Sequence, residues 1–151
     1  MNVGHICQRK VITVRPEEDL ATAARLMREK HIGYLVVVEP TPQEGGFVPI
    51  GVLTDRDIVV SVVAPEIDPR TIRVGDAMTA KPVTVMAEDS VTDILEQMKR
   101  IGVRRLPVVG DYGNLQGVVS LDDILAIMAR DLGNLAGAIN REISVETAVR
   151  R

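Results

Sequence analysis

The stretch Gly51-Val52-Leu53-Thr54-Asp55-Arg56-Asp57-Ile58 returns 66 positions later as Gly117-Val118-Val119-Ser120-Leu121-Asp122-Asp123-Ile124. In both copies an apolar run leads into a hydroxyl residue, and an acid follows three positions on. That order reads as a strand feeding the first turn of a helix. Upstream the repeat continues at an offset of 71. Val3-Gly4 falls on Val74-Gly75, Lys10 on Lys81, Thr13-Val14 on Thr84-Val85, Met27 on Met98, Leu35 on Leu106, and Val37-Val38 on Val108-Val109. The change of offset puts five extra residues in the first copy, within the turn-rich segment 40–46. A surface loop absorbs such an insertion at small entropic cost.

Each copy carries the same pattern of elements. Residues 10–14 and 82–86 predict short strands. Leu20, Ala24 and Met27 at helical spacing predict a helix, with Val91, Ile94, Leu95 and Met98 as its counterpart. Residues 34–38 and 48–53, and likewise 106–109 and 115–119, predict antiparallel hairpins. The strand–helix–strand unit before each hairpin predicts a parallel crossover. Final helices begin near Asp55 and Leu121. They carry Ile58, Val59, Val60, Val62 and Val63 in one copy, and Ile124, Leu125, Ala126, Ile127 and Met128 in the other. A surface helix keeps a polar face, so these helices are expected to be covered by the other copy or by a second chain.

The expected fold is a mixed α/β (α+β) chain of two β-α-β-β-α units related by a pseudo-two-fold axis, assembled as a homodimer. Residues 1–63 form the first unit, 64–73 a linker, 74–130 the second unit and 131–151 a helical tail. Gly133 and Gly137 weaken the helix signal in that tail, and a restart is expected near Ser144.

Composition narrows the function. Only 2% of the 151 residues are aromatic, with one Phe, two Tyr and no Trp, so a binding site must use backbone, aliphatic walls and a few polar groups. A net charge of -3 without a basic stripe does not indicate nucleic-acid binding. The single cysteine, Cys7, excludes an internal disulfide and a several-thiolate zinc site, and suits a reducing compartment. There is no long apolar run and no signal-peptide pattern, so the expected location is the cytoplasm, with no membrane partner.

No phosphate-binding Gly-rich loop followed by Lys-Ser/Thr and no Gly-x-Ser-x-Gly elbow is present. His5 and His31 lack metal-ligand spacing, and Cys7 with His5 does not make a triad. An enzyme is therefore not expected. What remains is Thr54 with Asp57 and Ser120 with Asp123. Each pair can simply cap its helix, hydroxyl and acid satisfying free backbone N–H groups. Each can also hold a ligand. A hydroxyl at a helix N-terminus suits a phosphate, and a carboxylate suits a ribose diol. Arg104-Arg105, just before the strand at 106–109, supplies cations that an aliphatic core has no use for.

The span 3–128 resembles a tandem pair of cystathionine-β-synthase (CBS) domains, the Bateman module, of the stand-alone prokaryotic type. The resemblance rests on Ile12-Thr13-Val14 and Val83-Thr84-Val85, on the segments 32–38 and 102–109, and on the repeated stretch quoted first. It implies a regulatory module that binds AMP, ADP, ATP or S-adenosylmethionine in clefts between the copies and signals to a separate protein. Carried over by position, Thr54 and Ser120 contact phosphate, and Asp57 and Asp123 the ribose. Thr13, Val14, Thr84 and Val85 line the adenine pocket, largely through backbone. Tyr34 and Arg105 contact base or phosphate, with Arg104 and Arg56 as further phosphate ligands. The copies differ where Gly33-Tyr34 stands against Arg104-Arg105, Val36 against Pro107 and Cys7 against Met78. The cleft nearer Arg104 and Arg105 is expected to prefer the more highly charged ligand. The alternative is a dimeric scaffold in which the repeated pair only caps helices.

Overall fold

The computed structural model describes residues 1–42 and 45–150. Gln43 and Glu44 of the inserted loop and the terminal Arg151 lie outside the described residues. The chain forms two sheets. One has strand order β1 (Thr13–Val14), β2 (Tyr34–Pro40), β3 (Phe47–Thr54) and β4 (Thr79–Ala80); the other has β5 (Val85–Met86), β6 (Arg105–Val109) and β7 (Leu115–Ser120). The repeat is kept at the level of register. Val14 pairs in parallel with Val37, and Val85 with Val108; both hairpins are antiparallel and both are irregular at the same place, between Val37 and Val38 and between Val108 and Val109. The strands expected at 10–14 and 82–86 shrink to two residues each, because the residues before them leave the ladder to wall the clefts described below.

Helix α1 (Leu20–Lys30) starts where the Asp19 carboxylate accepts from the Thr22 backbone N–H at 2.7 Å. It ends at His31 in the left-handed region, φ 56. Its counterpart α4 (Val91–Ile101) is capped by Ser90 and ends at Gly102, φ 81, where glycine carries no steric penalty. Leu20, Ala23 and Met27 on α1, and Ile94 and Met98 on α4, are buried against their sheets.

The units exchange their leading segments. A short helix, α3 (Val74–Ala77), and β4 follow the linker but pack on the first unit. Val74 is buried in the cluster of Leu20, Leu35 and Leu53, and Thr79 pairs with Val52. Reciprocally, Val3 is buried with Val85, Ile94, Met98 and Val119, and Gln8 pairs with Val118. The repeated glycine of the opening motif makes room for this crossing. A Cβ at Gly117 would lie 2.7 Å from the Gln8 carbonyl oxygen and 3.2 Å from Cys7 Sγ. At Gly51 it would lie 3.0 Å from the Thr79 carbonyl oxygen and press on the Met78 sulfur. Cys7 and Met78 are thus equivalent packing residues. A third cluster, Val36, Val38 and Val118 with Val11, Tyr34 and Leu115, joins the two sheets.

The last helices depart from expectation. The first, α2 (Asp55–Ile58), passes at once into a π-helical turn, Val59–Val63. The second, α5 (Leu121–Val149), runs unbroken through Gly133 and Gly137. Glycine costs only about 1 kcal/mol against alanine in a helix, too little to interrupt an otherwise helix-favouring run. Within one chain these helices are not covered on several sides. Ile58, Val62 and Ile124 are buried, whereas Val59, Val60, Val63, Leu125 and Met128 are exposed. The exposed row continues along α5 through Leu132, Leu135, Ile139 and Ile143.

Candidate functional site

Two crevices open where the sheets meet, related by the same pseudo-two-fold that relates the copies. The larger, about 300 Å³, is walled by Gln8, Lys10, Val11 and Ile12 from the exchanged segment, Tyr34 from β2, Arg105 from β6, and Ser120, Asp122 and Asp123 from the β7–α5 junction. That volume lies at the lower end for small-molecule sites. The smaller, about 140 Å³, is walled by Thr79, Lys81, Pro82 and Val83, by Val52, Leu106 and Pro107, and again by Tyr34 and Arg105.

The two hydroxyl–acid pairs behave differently. Thr54 Oγ1 accepts from the Asp57 N–H at 3.2 Å, and Asp57 Oδ2 accepts from the Thr54 N–H at 2.8 Å. This is a complete capping box, and neither residue lines a crevice. Ser120 Oγ likewise accepts from the Asp123 N–H, at 3.1 Å, but the Asp123 carboxylate does not return to the Ser120 backbone. Its Oδ1 accepts from Gln8 Nε2 at 3.3 Å, while its Oδ2 is shut off from solvent without a hydrogen-bond partner. The difference follows from the exchanged segments. Gln8 reaches Asp123 across the larger crevice, whereas Thr79, the residue at its place in the other unit, has a shorter side chain.

Tyr34 and Arg105 occupy the same position in the two copies and meet between the crevices. The Arg105 guanidinium lies 5.5 Å from the centre of the Tyr34 ring, a cation–π contact. Burial pushes the Tyr34 hydroxyl far above its ordinary range, against the opposing influence of Arg105. The phenol therefore stays a neutral donor, and its buried oxygen has no partner. Two walls of the larger crevice, Tyr34 and Asp123, thus each keep a buried oxygen without a partner, and Lys10 and Arg105 add cations to it. A buried polar group without a partner costs about 1–3 kcal/mol, and a bound ligand that supplies the missing bonds recovers that cost.

Of the twelve residues singled out by sequence, Ser120, Asp123, Tyr34 and Arg105 are brought together. Val14 and Val85 are buried in the unit cores, Thr13 and Thr84 are exposed, and the crevice walls come from residues just before them. Arg56 is exposed on α2 and borders neither crevice. Arg104 is held by Asp122 Oδ1 at 3.2 Å and also stays outside both. Sequence reasoning passed over Gln8 and Lys10. The match of Lys10 to Lys81 was a signal for the lysine; nothing in the repeat pointed to Gln8. Among the described residues no group of three or more His, Cys, Asp or Glu is placed to hold a metal ion, and no helix is long and apolar enough to cross a membrane.

Comparison with known proteins shows the family and the fold. The family model "CBS domain" matches residues 3–64 and 74–130. An uncharacterized protein of Methanopyrus kandleri is 36% identical over 127 residues, 84% of this chain and 62% of the relative, so the chain spans about three-fifths of that relative's length. A hexameric CBS-CP12 protein from bloom-forming cyanobacteria superposes with a TM-score of 0.71 at 33% identity, covering 83% of this chain and 66% of that one. The CBS domain pair of protein MJ0100, solved in complex with 5-methylthioadenosine and S-adenosyl-L-methionine, gives a TM-score of 0.74 over 87% of this chain and 98% of that one. At 22% identity the last likeness is one of fold.

Proposed function

The chain belongs to the CBS domain family, and from that premise we propose that it is a regulatory module, not an enzyme, that binds an adenine nucleotide or S-adenosylmethionine in the larger crevice. The reading is carried by one observation: Asp123 and Tyr34, both walls of that crevice, each keep a buried polar oxygen without a hydrogen-bond partner. Asp123 receives the ribose diol, Ser120 and the start of α5 receive phosphate, and Ile12 and Val11 with adjoining backbone receive the base. Ligand-induced change in how the two units sit against each other is the signal to a separate partner protein. The exposed row on α5 and the apolar residues Val59, Val60 and Val63 support self-association of the module as a homodimer.

Thermal unfolding with AMP, ADP, ATP and S-adenosylmethionine tests the binding. Ligand at 100 times its dissociation constant adds about 2.7 kcal/mol, and at least one of the four should raise Tm accordingly. No response to any of them removes the reading. The first copy favours a second, narrower reading: with Thr54 and Asp57 closed on each other, that half acts as scaffold only.

A further inference from the structure

Helix α5 outlasts the repeat. The second unit ends at residue 130, yet the helix runs on to Val149, about 30 Å beyond Met128 at the usual rise per residue. Every residue from Ala129 to Arg150 is exposed, so among the described residues no other part of the chain covers this tail. A helix of that length is marginal in water alone and owes its stability to the packing of an apolar face. The tail has such a face. Leu125, Met128, Leu132, Leu135, Ile139 and Ile143 follow at steps of 3, 4, 3, 4 and 4, and each is more than half exposed. Arg130, Asn134, Gly137 and Arg141 fall on the opposite side. The Glu146–Arg150 ion pair, at 2.7 Å, closes the row.

We infer that the tail pairs with the tail of a second copy as a parallel, in-register coiled coil over residues 125–143. Steps alternating between 3 and 4 are the spacing by which one helix inserts its side chains between those of a like helix. The tail's charges, Arg130, Arg141 and Arg150 against Asp131, Glu142 and Glu146, cancel, so it suits a copy of itself and not a charged partner. In the parallel arrangement Asp131 faces the second copy's Ala136 across the seam, and no like charges meet. An antiparallel pair with the same rows opposed lays Ile143 on Leu125. It then carries Glu146 and Val149 past Leu121, where α5 begins and Asp122 and Asp123 stand. The homodimer proposed above is served by apolar faces on the repeats; this inference adds a contact outside them and rests on that association.

Disulfide trapping of the full chain tests the seam and its direction. Under mild oxidation Ile143→Cys should give a covalent dimer, and Arg141→Cys, on the far face, much less; both variants retain Cys7 as a common background. Equal yields overturn the inference, because an antiparallel or unpaired tail keeps the two copies of residue 143 apart. Hydrogen exchange supplies the second readout. Amides 131–143 should be protected in wild type, and Leu135→Glu with Ile139→Glu should lower that protection at least about tenfold. Amides of Val36, Val37 and Val108, in the sheets, should hold in the same variant and report that the units stay folded. Tail amides that exchange freely in wild type overturn the inference. If they do so while sedimentation gives twice the mass of one chain, the homodimer of the units stands and only the coiled coil fails; the mass of a single chain removes both.

Discussion

Replacing Asp57 and Asp123 by alanine, one at a time, separates a helix cap from a ligand group in two positions that sequence treats as equivalent. Asp57 accepts from the Thr54 N–H at 2.8 Å and completes the box that starts the single turn of α2. Alanine there leaves the Thr54 N-cap in place and removes the reciprocal half of the box, a loss of the order of a cap, about 0.5–2 kcal/mol. At roughly 2–4 °C per kcal/mol for a chain of this size, Asp57→Ala should lower Tm by about 1–8 °C. Asp123 contributes no backbone cap. Ser120 alone caps α5, at 3.1 Å, and the carboxylate's one bond is an exposed 3.3 Å contact with Gln8. The charge–dipole attraction lost in Asp123→Ala, about 0.3–1 kcal/mol, is offset by removing a buried oxygen that has no partner. Its Tm without ligand should therefore stay close to wild type. Affinity for AMP reverses the order. A hydrogen bond to a charged group is worth about 1.5–3 kcal/mol, so Asp123→Ala should weaken binding by roughly 10- to 150-fold, and Asp57→Ala should leave it unchanged. Differential scanning calorimetry without ligand and isothermal titration with AMP supply both readouts. Equal loss of Tm in the two variants with equal affinities would refute the assignment of different roles.

Three further outcomes follow from the same structure. Tyr34 stays neutral in the fold while the unfolded chain ionises near its ordinary value of 10.0; its contribution to stability is present below pH 10 and lost as pH rises above it. Tyr34→Phe should flatten that alkaline decline in urea-unfolding midpoints and, by removing an unpartnered hydroxyl, leave stability at neutral pH unchanged or higher. Gly117→Ala forces a Cβ to 2.7 Å from the Gln8 carbonyl and should cost about 1–3 kcal/mol by overpacking, read as a lower denaturant midpoint. His31→Gly relieves a left-handed φ of 56 and, after the extra entropy of glycine in the unfolded chain, should stabilise by about 0.5–1 kcal/mol, read as a higher Tm.

Much of the fold was legible because the repeat reports it twice. Matching valines, the Gly-Val motif and the helical spacing of Leu20 and Met27 against Ile94 and Met98 fixed the elements and their order, and the sheet registers agree. The exchange of leading segments was not legible. Val3 and Val74 fill equivalent pockets in opposite units, and a hydrophobic residue does not encode which of two similar cores it enters. The continuity of α5 was missed because two glycines weigh more in local propensity than in a long helix. At the site, the hydroxyl and the acid that wall the larger crevice were legible in the repeat, and the different hydrogen bonding of their counterparts in the first copy was not. Both copies present a hydroxyl and an acid three residues apart. Whether the acid closes on its own backbone or turns to a glutamine depends on Gln8, which lies 115 residues from Asp123 in sequence.

Amide chemical shifts of the isotope-labelled chain titrated with AMP would locate the ligand directly. Shifts concentrated at Gln8, Lys10, Tyr34, Ser120 and Asp123, with Thr54 and Asp57 unmoved, are the predicted pattern. Shifts centred on Thr54 and Asp57, or none anywhere at saturating AMP, would contradict the claim that the Asp123 crevice is where this protein meets its ligand.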